Sequence, residues 1–120
     1  MSPDRPAKYD LEERTFEFAK AVRAFVKRLP RTVCNFEDVK QVVKSSGSVG
    51  ANYIEANEAL SKKDFAFRIK ICRKESKESR YWLSLVDTGP DATVEGERQK
   101  LVQESTELMK IFGAILRSTE

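Results

Sequence analysis

The sequence predicts an all-α protein that folds as an antiparallel, up-down-up-down four-helix bundle. Apolar residues recur every three or four positions in four successive stretches, which is the spacing of one helix face. Glycine and proline, which interrupt helices, number only 5 and 4 in 120 residues, and no stretch shows the alternation typical of strands. Short connections between four such helices favour an up-and-down bundle. We expect a flexible lead-in over residues 1–9 and a single domain over residues 10–120.

The first predicted helix begins at Asp10 and ends at Pro30. Asp10 is a residue type that caps helix N-termini, and Glu13 follows three positions later, as in a capping box. Pro30 cannot continue the hydrogen bonding of a helix. The apolar face of this helix comprises Leu11, Thr15, Phe18, Val22, Phe25 or Val26, and Leu29.

Asn35 is the predicted cap of the second helix, because Glu37 and Asp38 follow it in the first turn, where negative charge is favourable. Gly47 and Gly50 lie inside the apolar pattern of this helix, where each costs about 1 kcal/mol relative to alanine. We interpret them as a kink or as a close approach of another helix. We do not expect a phosphate-binding loop, because no strand precedes them and no Gly-Lys-Ser/Thr sequence follows.

The third predicted helix begins after Ser61, has Asp64 in its first turn, and runs to about Asp87. It carries two apolar faces, and such a helix usually has two packing partners. One face, the core seam, is expected to build the bundle and comprises Phe65, Ile69, Cys72, Ser76, Ser79, Leu83 and Val86. The other face, the apolar band, is the candidate subunit interface and comprises Phe67, Ile71, Trp82 and Leu85, with Glu78 beside them.

Thr93 is the predicted cap of the fourth helix, which follows the break at Gly89, Pro90 and Asp91. Its apolar face comprises Leu101, Ser105, Leu108, Phe112 and Ile115. Further apolar residues widen this surface and are expected to add to a subunit contact: Val102, Met109, Ile111 and Leu116.

The positive charge is concentrated on the first and third helices, although the net charge of the chain is only +3. Six cations of the third helix fall on one side, and we name them the basic ridge: Lys63, Lys70, Arg73, Lys74, Lys77 and Arg80. A shorter group on the first helix comprises Lys20, Arg23 and Lys27. These nine residues are candidate nucleic-acid contacts that would bind phosphates without reading base sequence. The alternative is a solvated face with local ion pairs, such as Lys74 with Glu78.

Composition excludes several functions. The chain has no histidine, which removes histidine-based catalysis and histidine-containing metal sites. Cys34 and Cys72 form no metal-ligand pattern, and no nucleophile–base pair is visible, so we expect no enzyme activity, no metal and no cofactor. No apolar run approaches the roughly 20 residues that cross a bilayer. With no recognisable signal peptide, we expect a cytoplasmic protein with free thiols.

The residues also resemble a known family. The bacterial four-helix-bundle proteins related to the 23S rRNA-intervening sequence proteins have a signature similar to SSGSVGANYIEANEALSKKDFAFRIKICRKESKESRYWL, residues 45–83. The stretch YDLEERTFEFAKAV resembles the opening of that family. The resemblance implies a bundle that assembles as a ring, typically a pentamer. Similar bundles act as accessory proteins of diversity-generating retroelements, where a basic ring surface binds nucleic acid and a reverse transcriptase.

This chain departs from the family pattern in two ways. Many relatives have proline where Gly50 stands, and the retroelement accessory proteins are more strongly basic. We therefore retain two hypotheses. The first is a non-enzymatic homo-oligomer, a pentameric ring whose basic surface binds RNA or DNA. The second is a protein-binding adaptor without a nucleic-acid role, whose lysines serve solubility.

Overall fold

Four α-helices make up the part of the chain that the computed structural model describes, namely the backbone of residues 7–120 and the side chains of residues 11–120. The helices are α1 (Ala7–Val26), α2 (Val33–Asn57), α3 (Lys62–Leu85) and α4 (Ala92–Ser118). No strand occurs among these residues, so the predicted all-α class is confirmed. Residues 1–6 of the predicted lead-in lie outside the described residues.

The helices pack as an antiparallel bundle. α2 packs most extensively against α3, followed by α3 against α4 and α1 against α2, while α1 touches α4 more lightly. Asn35, near the start of α2, hydrogen-bonds to Asp87, just beyond the end of α3. Arg98, near the start of α4, donates to the carbonyl of Val86 at 2.9 Å. These contacts place the beginning of one helix beside the end of its neighbour, as the up-and-down prediction requires.

The structure confirms the predicted start of α3 but not that of α1. Ser61 caps α3 as predicted, because its hydroxyl accepts a hydrogen bond from the Asp64 N–H at 3.0 Å. The prediction for α1 was wrong, since the helix begins at Ala7 and Asp10 lies inside it. The residues between Ala7 and Asp10 are neither glycine nor proline, so nothing in the sequence stops the helix from starting earlier.

The predicted caps of α2 and α4 were also wrong, in both cases because a better-placed cap residue lies just upstream. Thr32 caps α2, and its hydroxyl accepts from the backbone N–H of Asn35 at 3.0 Å. Asp91 caps α4, and its carboxylate accepts from the N–H of Thr93 at 2.8 Å. The Asp91 carboxylate also lies at the positive end of the helix dipole, an advantage that the Thr93 hydroxyl lacks.

Asn35 holds together the two connections at one end of the bundle. Its amide nitrogen donates to the carbonyl of Pro30 at 2.9 Å and to that of Asp87 at 2.8 Å. Its amide oxygen accepts from the backbone N–H of Asp87 at 2.9 Å. The residue is only 2% exposed, so these three bonds satisfy a side-chain amide that water does not reach.

Gly50 marks a close approach between α1 and α2, which was one of the two interpretations of the glycines. A Cβ atom at Gly50 would lie 2.9 Å from Oγ1 of Thr15, too near for ordinary contact. Only a residue without a side chain lets the helices come this close. Gly47 and Gly50 both lie within the continuous helix α2 and do not end it.

The core seam of α3 is buried as predicted. Six of its residues are at most 2% exposed: Ile69, Cys72, Ser76, Ser79, Leu83 and Val86. Phe65 is half-buried and packs against this core. Two buried serines meet between α2 and α3, where the hydroxyls of Ser45 and Ser79 are 2.9 Å apart. Such small side chains allow α2 and α3 to pack closely.

Candidate nucleic-acid and subunit interfaces

The basic ridge lies on the side of α3 that faces α4. Arg80 is half-buried there, and its guanidinium donates to the Thr106 hydroxyl of α4 at 3.5 Å. The other five residues are exposed: Lys63, Lys70, Arg73, Lys74 and Lys77. Of the ridge residues, only Lys74 has an ion pair within residues 11–120, with Glu78 at 4.0 Å, which is the local pair that the solvated-face alternative named. An exposed pair of this kind contributes about 0.3–0.5 kcal/mol, so most of the positive charge of the ridge is uncompensated.

The ridge forms one wall of a groove between α3 and α4. This groove has a volume of about 770 Å³, and Met109, Gly113 and Leu116 of α4 line it opposite the ridge. Its charged lining consists of Lys70, Arg73, Lys74, Lys77, Arg117 and Glu120. Five cations and one carboxylate make the groove strongly positive, which favours an anionic ligand.

Arg117 is a groove residue that the sequence did not predict. Residues 94–120 carry a net charge of −1. The net charge of this segment therefore gave no indication that α4 places one arginine beside the ridge. The sequence does contain one indication of the position of Arg117. Gly113 and Arg117 are four residues apart and hence lie on one helix face.

Two cations of α1 and Lys27, just beyond its end, do not join the ridge, because within the described residues α1 contacts α2 and α4 but not α3. Lys20, Arg23 and Lys27 are all exposed. Lys20 lies 5.6 Å from the ring centroid of Phe16 and 4.0 Å from the Glu17 carboxylate. The nine candidate residues are therefore two separate basic areas rather than one continuous strip.

The apolar band of α3 is only partly covered within one chain. Phe67 and Leu85 remain 56% and 51% exposed, whereas Ile71 and Trp82 are half-buried. Trp82 packs against the core. Glu78, beside the band, is exposed apart from its ion pair within α3. The band thus presents apolar surface that the fold of a single chain does not use.

A polar cluster on the α2 side of α3 was not predicted as a unit. The guanidinium of Arg68 donates to the Asn52 side-chain oxygen at 3.0 Å, and the Asn52 amide donates to the carbonyl of Ser48 at 2.9 Å. Glu75 is half-buried, and this burial, together with the nearby negative charge of Glu78, raises the pKa of its carboxyl group. Of these interactions, the hydrogen bond between Arg68 and Asn52 ties α3 to α2.

The two thiols differ in environment. Cys72 is fully buried, its Sγ lies 3.4 Å from the carbonyl oxygen of Val49, and burial raises the pKa of its thiol to about 12. A thiol with so high a pKa is not a nucleophile at neutral pH. Cys34 is exposed. Residues 11–120 contain no group of three side chains placed to hold a metal ion.

Comparison with known proteins agrees with the bundle geometry. The family model for the 23S rRNA-intervening sequence protein matches residues 7–114. The chain belongs to this family. A crystal structure of a protein of unknown function from the S23 ribosomal protein family of Bacteroides thetaiotaomicron is similar to it, with a TM-score of 0.73 and 29% identity. That match covers 88% of this chain and 97% of the other. No curated protein matches the chain.

Membership of the 23S rRNA-intervening sequence protein family agrees with the resemblance of residues 45–83 and with the all-α fold. Neither the family description nor that of the similar crystal structure assigns an enzymatic activity. Within the described part of the chain, no helix combines the length and the apolar character that crossing a membrane requires.

Proposed function

We propose that this member of the 23S rRNA-intervening sequence protein family is a non-enzymatic, cytoplasmic homo-oligomer that binds RNA or DNA through the basic ridge of α3. The observation that carries the proposal is the uncompensated positive charge along one exposed helix face, where Lys70, Arg73 and Lys77 have no anionic partner among the described residues. Nucleic-acid phosphates supply the complementary charge. Contacts of this kind give affinity without base sequence specificity.

The oligomer part of the proposal rests on the apolar band. Phe67 and Leu85 are more than half exposed on the same helix as the ridge, and Ile71 and Trp82 are half-buried beside them. Burying an aromatic side chain at a contact contributes on the order of 2 kcal/mol. A ring of copies, a pentamer by family resemblance, would repeat the ridge around its circumference and strengthen binding by multivalency.

Charge reversal on the ridge tests nucleic-acid binding. We expect Lys70→Glu/Lys74→Glu/Lys77→Glu to weaken binding of a labelled 20-nucleotide RNA by at least tenfold and to flatten the salt dependence, because fewer counterions are released. Fluorescence anisotropy across a salt series measures both quantities. The matched control is Lys40→Glu/Lys44→Glu/Lys100→Glu, which changes the net charge equally at exposed lysines off the ridge. Equal affinity of the ridge variant and the control would refute the ridge as the binding site.

A protein-binding adaptor is the second candidate, and one observation favours it. A groove of about 650 Å³ lies at the connection between α1 and α2, lined largely by apolar groups. Val33 and Phe36 in its wall are 84% and 65% exposed. A partner protein, such as a reverse transcriptase by family resemblance, would bury these side chains. Binding of RNA and DNA with no dependence on salt would contradict phosphate binding by the ridge. If the wild-type protein binds neither RNA nor DNA, the adaptor is the function that stands.

A further inference from the structure

Two arginines from different helices converge on one glycine in the groove between α3 and α4. A Cβ atom placed on Gly113 would lie 3.5 Å from Nη1 of Arg117 and 3.9 Å from Nε of Arg73. Both guanidinium groups therefore border the same small space, one from each wall of the groove.

Gly113 is not required there for the helices to pack. At Gly50 the missing side chain makes room for Thr15 of the neighbouring helix, with a Cβ distance of 2.9 Å. At Gly113 the nearest atoms belong to the flexible ends of two arginines, and both distances are ordinary contacts. The absence of a side chain at Gly113 therefore keeps open the space between the guanidinium groups.

The charges around this space are unbalanced. Neither Arg73 nor Arg117 has an ion pair or a side-chain hydrogen bond within residues 11–120. Lys70, Lys74 and Lys77 line the same groove, and Glu120 is the one carboxylate in its lining. Guanidinium groups bind phosphate oxygens in paired, fork-like geometry, so an anion with several oxygens would satisfy both arginines at once.

We propose that Arg73 and Arg117 form a phosphate clamp over Gly113, which holds a single phosphate group of a polyanion between α3 and α4. The assignment rests on the proposed function, and it locates one defined contact within the basic ridge. The shared ligand chemistry is a phosphodiester or phosphoanhydride group, from a nucleic-acid backbone or a free polyphosphate. Among the described residues, the groove lining contains no aromatic side chain on which bases would stack, so the clamp binds phosphate alone.

The test separates the clamp from the general charge of the ridge. Gly113→Leu fills the space between the guanidinium groups and leaves every charge in place, and Ala114→Leu adds the same side chain at the neighbouring exposed position. Arg117→Lys keeps the positive charge and removes the paired N–H donors of the guanidinium group. The probes are a labelled 20-nucleotide RNA and inorganic tripolyphosphate, measured by anisotropy and by calorimetry. Thermal melting checks that each variant is folded.

We expect Gly113→Leu and Arg117→Lys to weaken binding of at least one probe about fivefold or more, while Ala114→Leu leaves it unchanged. If the variants lose affinity for RNA alone, the ligand is a nucleic-acid backbone. If they lose affinity for tripolyphosphate alone, the ligand is a free polyphosphate. If both folded variants bind both probes as the wild type does, the clamp is wrong. Should the triple glutamate variant of the ridge still lose RNA binding in that case, the proposed function survives without the clamp.

Discussion

At the scale of single residues, Asn35 carries a structural role that few other side chains can fill. It needs two donors for the carbonyls of Pro30 and Asp87 and one acceptor for the Asp87 N–H, all in a buried site. Aspartate has the right shape but presents acceptors to two carbonyl oxygens. Leucine has neither donor nor acceptor. The amide is thus matched to both connections at this end of the bundle.

We expect Asn35→Ala to lower the free energy of unfolding by about 3 kcal/mol, because it leaves two carbonyls and one N–H of the partly buried backbone without their partner. Asn35→Asp is expected to be at least as harmful at pH 7. Urea denaturation followed by circular dichroism measures both. The matched control is Asn57→Ala, whose amide bonds to Glu12 at the exposed surface. The bridging role would be contradicted if Asn35→Ala lowers the free energy of unfolding no more than Asn57→Ala does.

The errors in the predicted caps also belong to this scale. Thr32 and Asn35 are both good cap residues three positions apart, as Asp91 and Thr93 are two apart, and local preference ranks them closely. Asn35 is removed from the choice by its contact with Asp87, 52 positions away in the chain. No local pattern contains that contact, so the sequence alone could not decide between Thr32 and Asn35.

At the scale of helices, periodicity predicted the buried faces well because burial of an apolar face is what holds a bundle together. The core seam of α3 is an example, and it includes two buried serines, Ser76 and Ser79, at helical positions that apolar residues usually fill. The groove beside the ridge could not be predicted in the same way. It depends on which residues of α4, such as Arg117, face α3, and that follows from how the two helices pack.

The glycines of α2 and α4 allow a prediction at this scale. We expect Gly50→Ala to destabilise the protein by about 1–2 kcal/mol, because the contact with Thr15 forces α1 away and outweighs the better helix propensity of alanine. Gly96→Ala is the control, since a Cβ there meets nothing within 4 Å, and it should stabilise by about 0.5–1 kcal/mol. Thermal or urea unfolding distinguishes the two signs.

The contact with Thr15 can itself be tested by a double mutant. Adding Thr15→Ala to Gly50→Ala removes the Oγ1 atom that the new methyl group would meet at 2.9 Å. We expect the double variant to recover part of the lost stability, since residues in direct contact are not additive. Destabilisation by Gly50→Ala that is unchanged in the Thr15→Ala background would mean that another contact is responsible.

At the scale of the whole molecule, the described chain is flattened, with dimensions of 46 × 31 × 19 Å. α1 and α4 touch only lightly, and the paired hydrogen bonds of Arg14 with Glu104, at 2.7 and 2.8 Å, join these two helices. α3 carries both the basic ridge and the exposed apolar side chains of Phe67 and Leu85. The fold of one chain was predictable because all the residues that form its core belong to the same sequence. Assembly was not, because it depends on a second molecule.

The apolar band leads to the last prediction. Multi-angle light scattering of the wild-type protein is expected to give about five times the monomer mass of 13.7 kDa. Trp82→Ala removes a half-buried aromatic from the band, and Ile71→Glu places a charge in it, so each should give a smaller species. Leu60→Glu is the control, because Leu60 is 98% exposed and lies off the band.

The pattern across these variants decides where the copies meet. Loss of assembly by Trp82→Ala and Ile71→Glu, with Leu60→Glu unchanged, places the band in the interface and leaves the basic ridge on an outer surface. A monomeric wild-type protein would contradict the ring itself. A wild-type oligomer that both band variants retain would instead move the interface to another apolar surface, of which the groove with Val33 and Phe36 is the next candidate. Because the ridge and the band lie on different sides of α3, ridge variants should not change the mass.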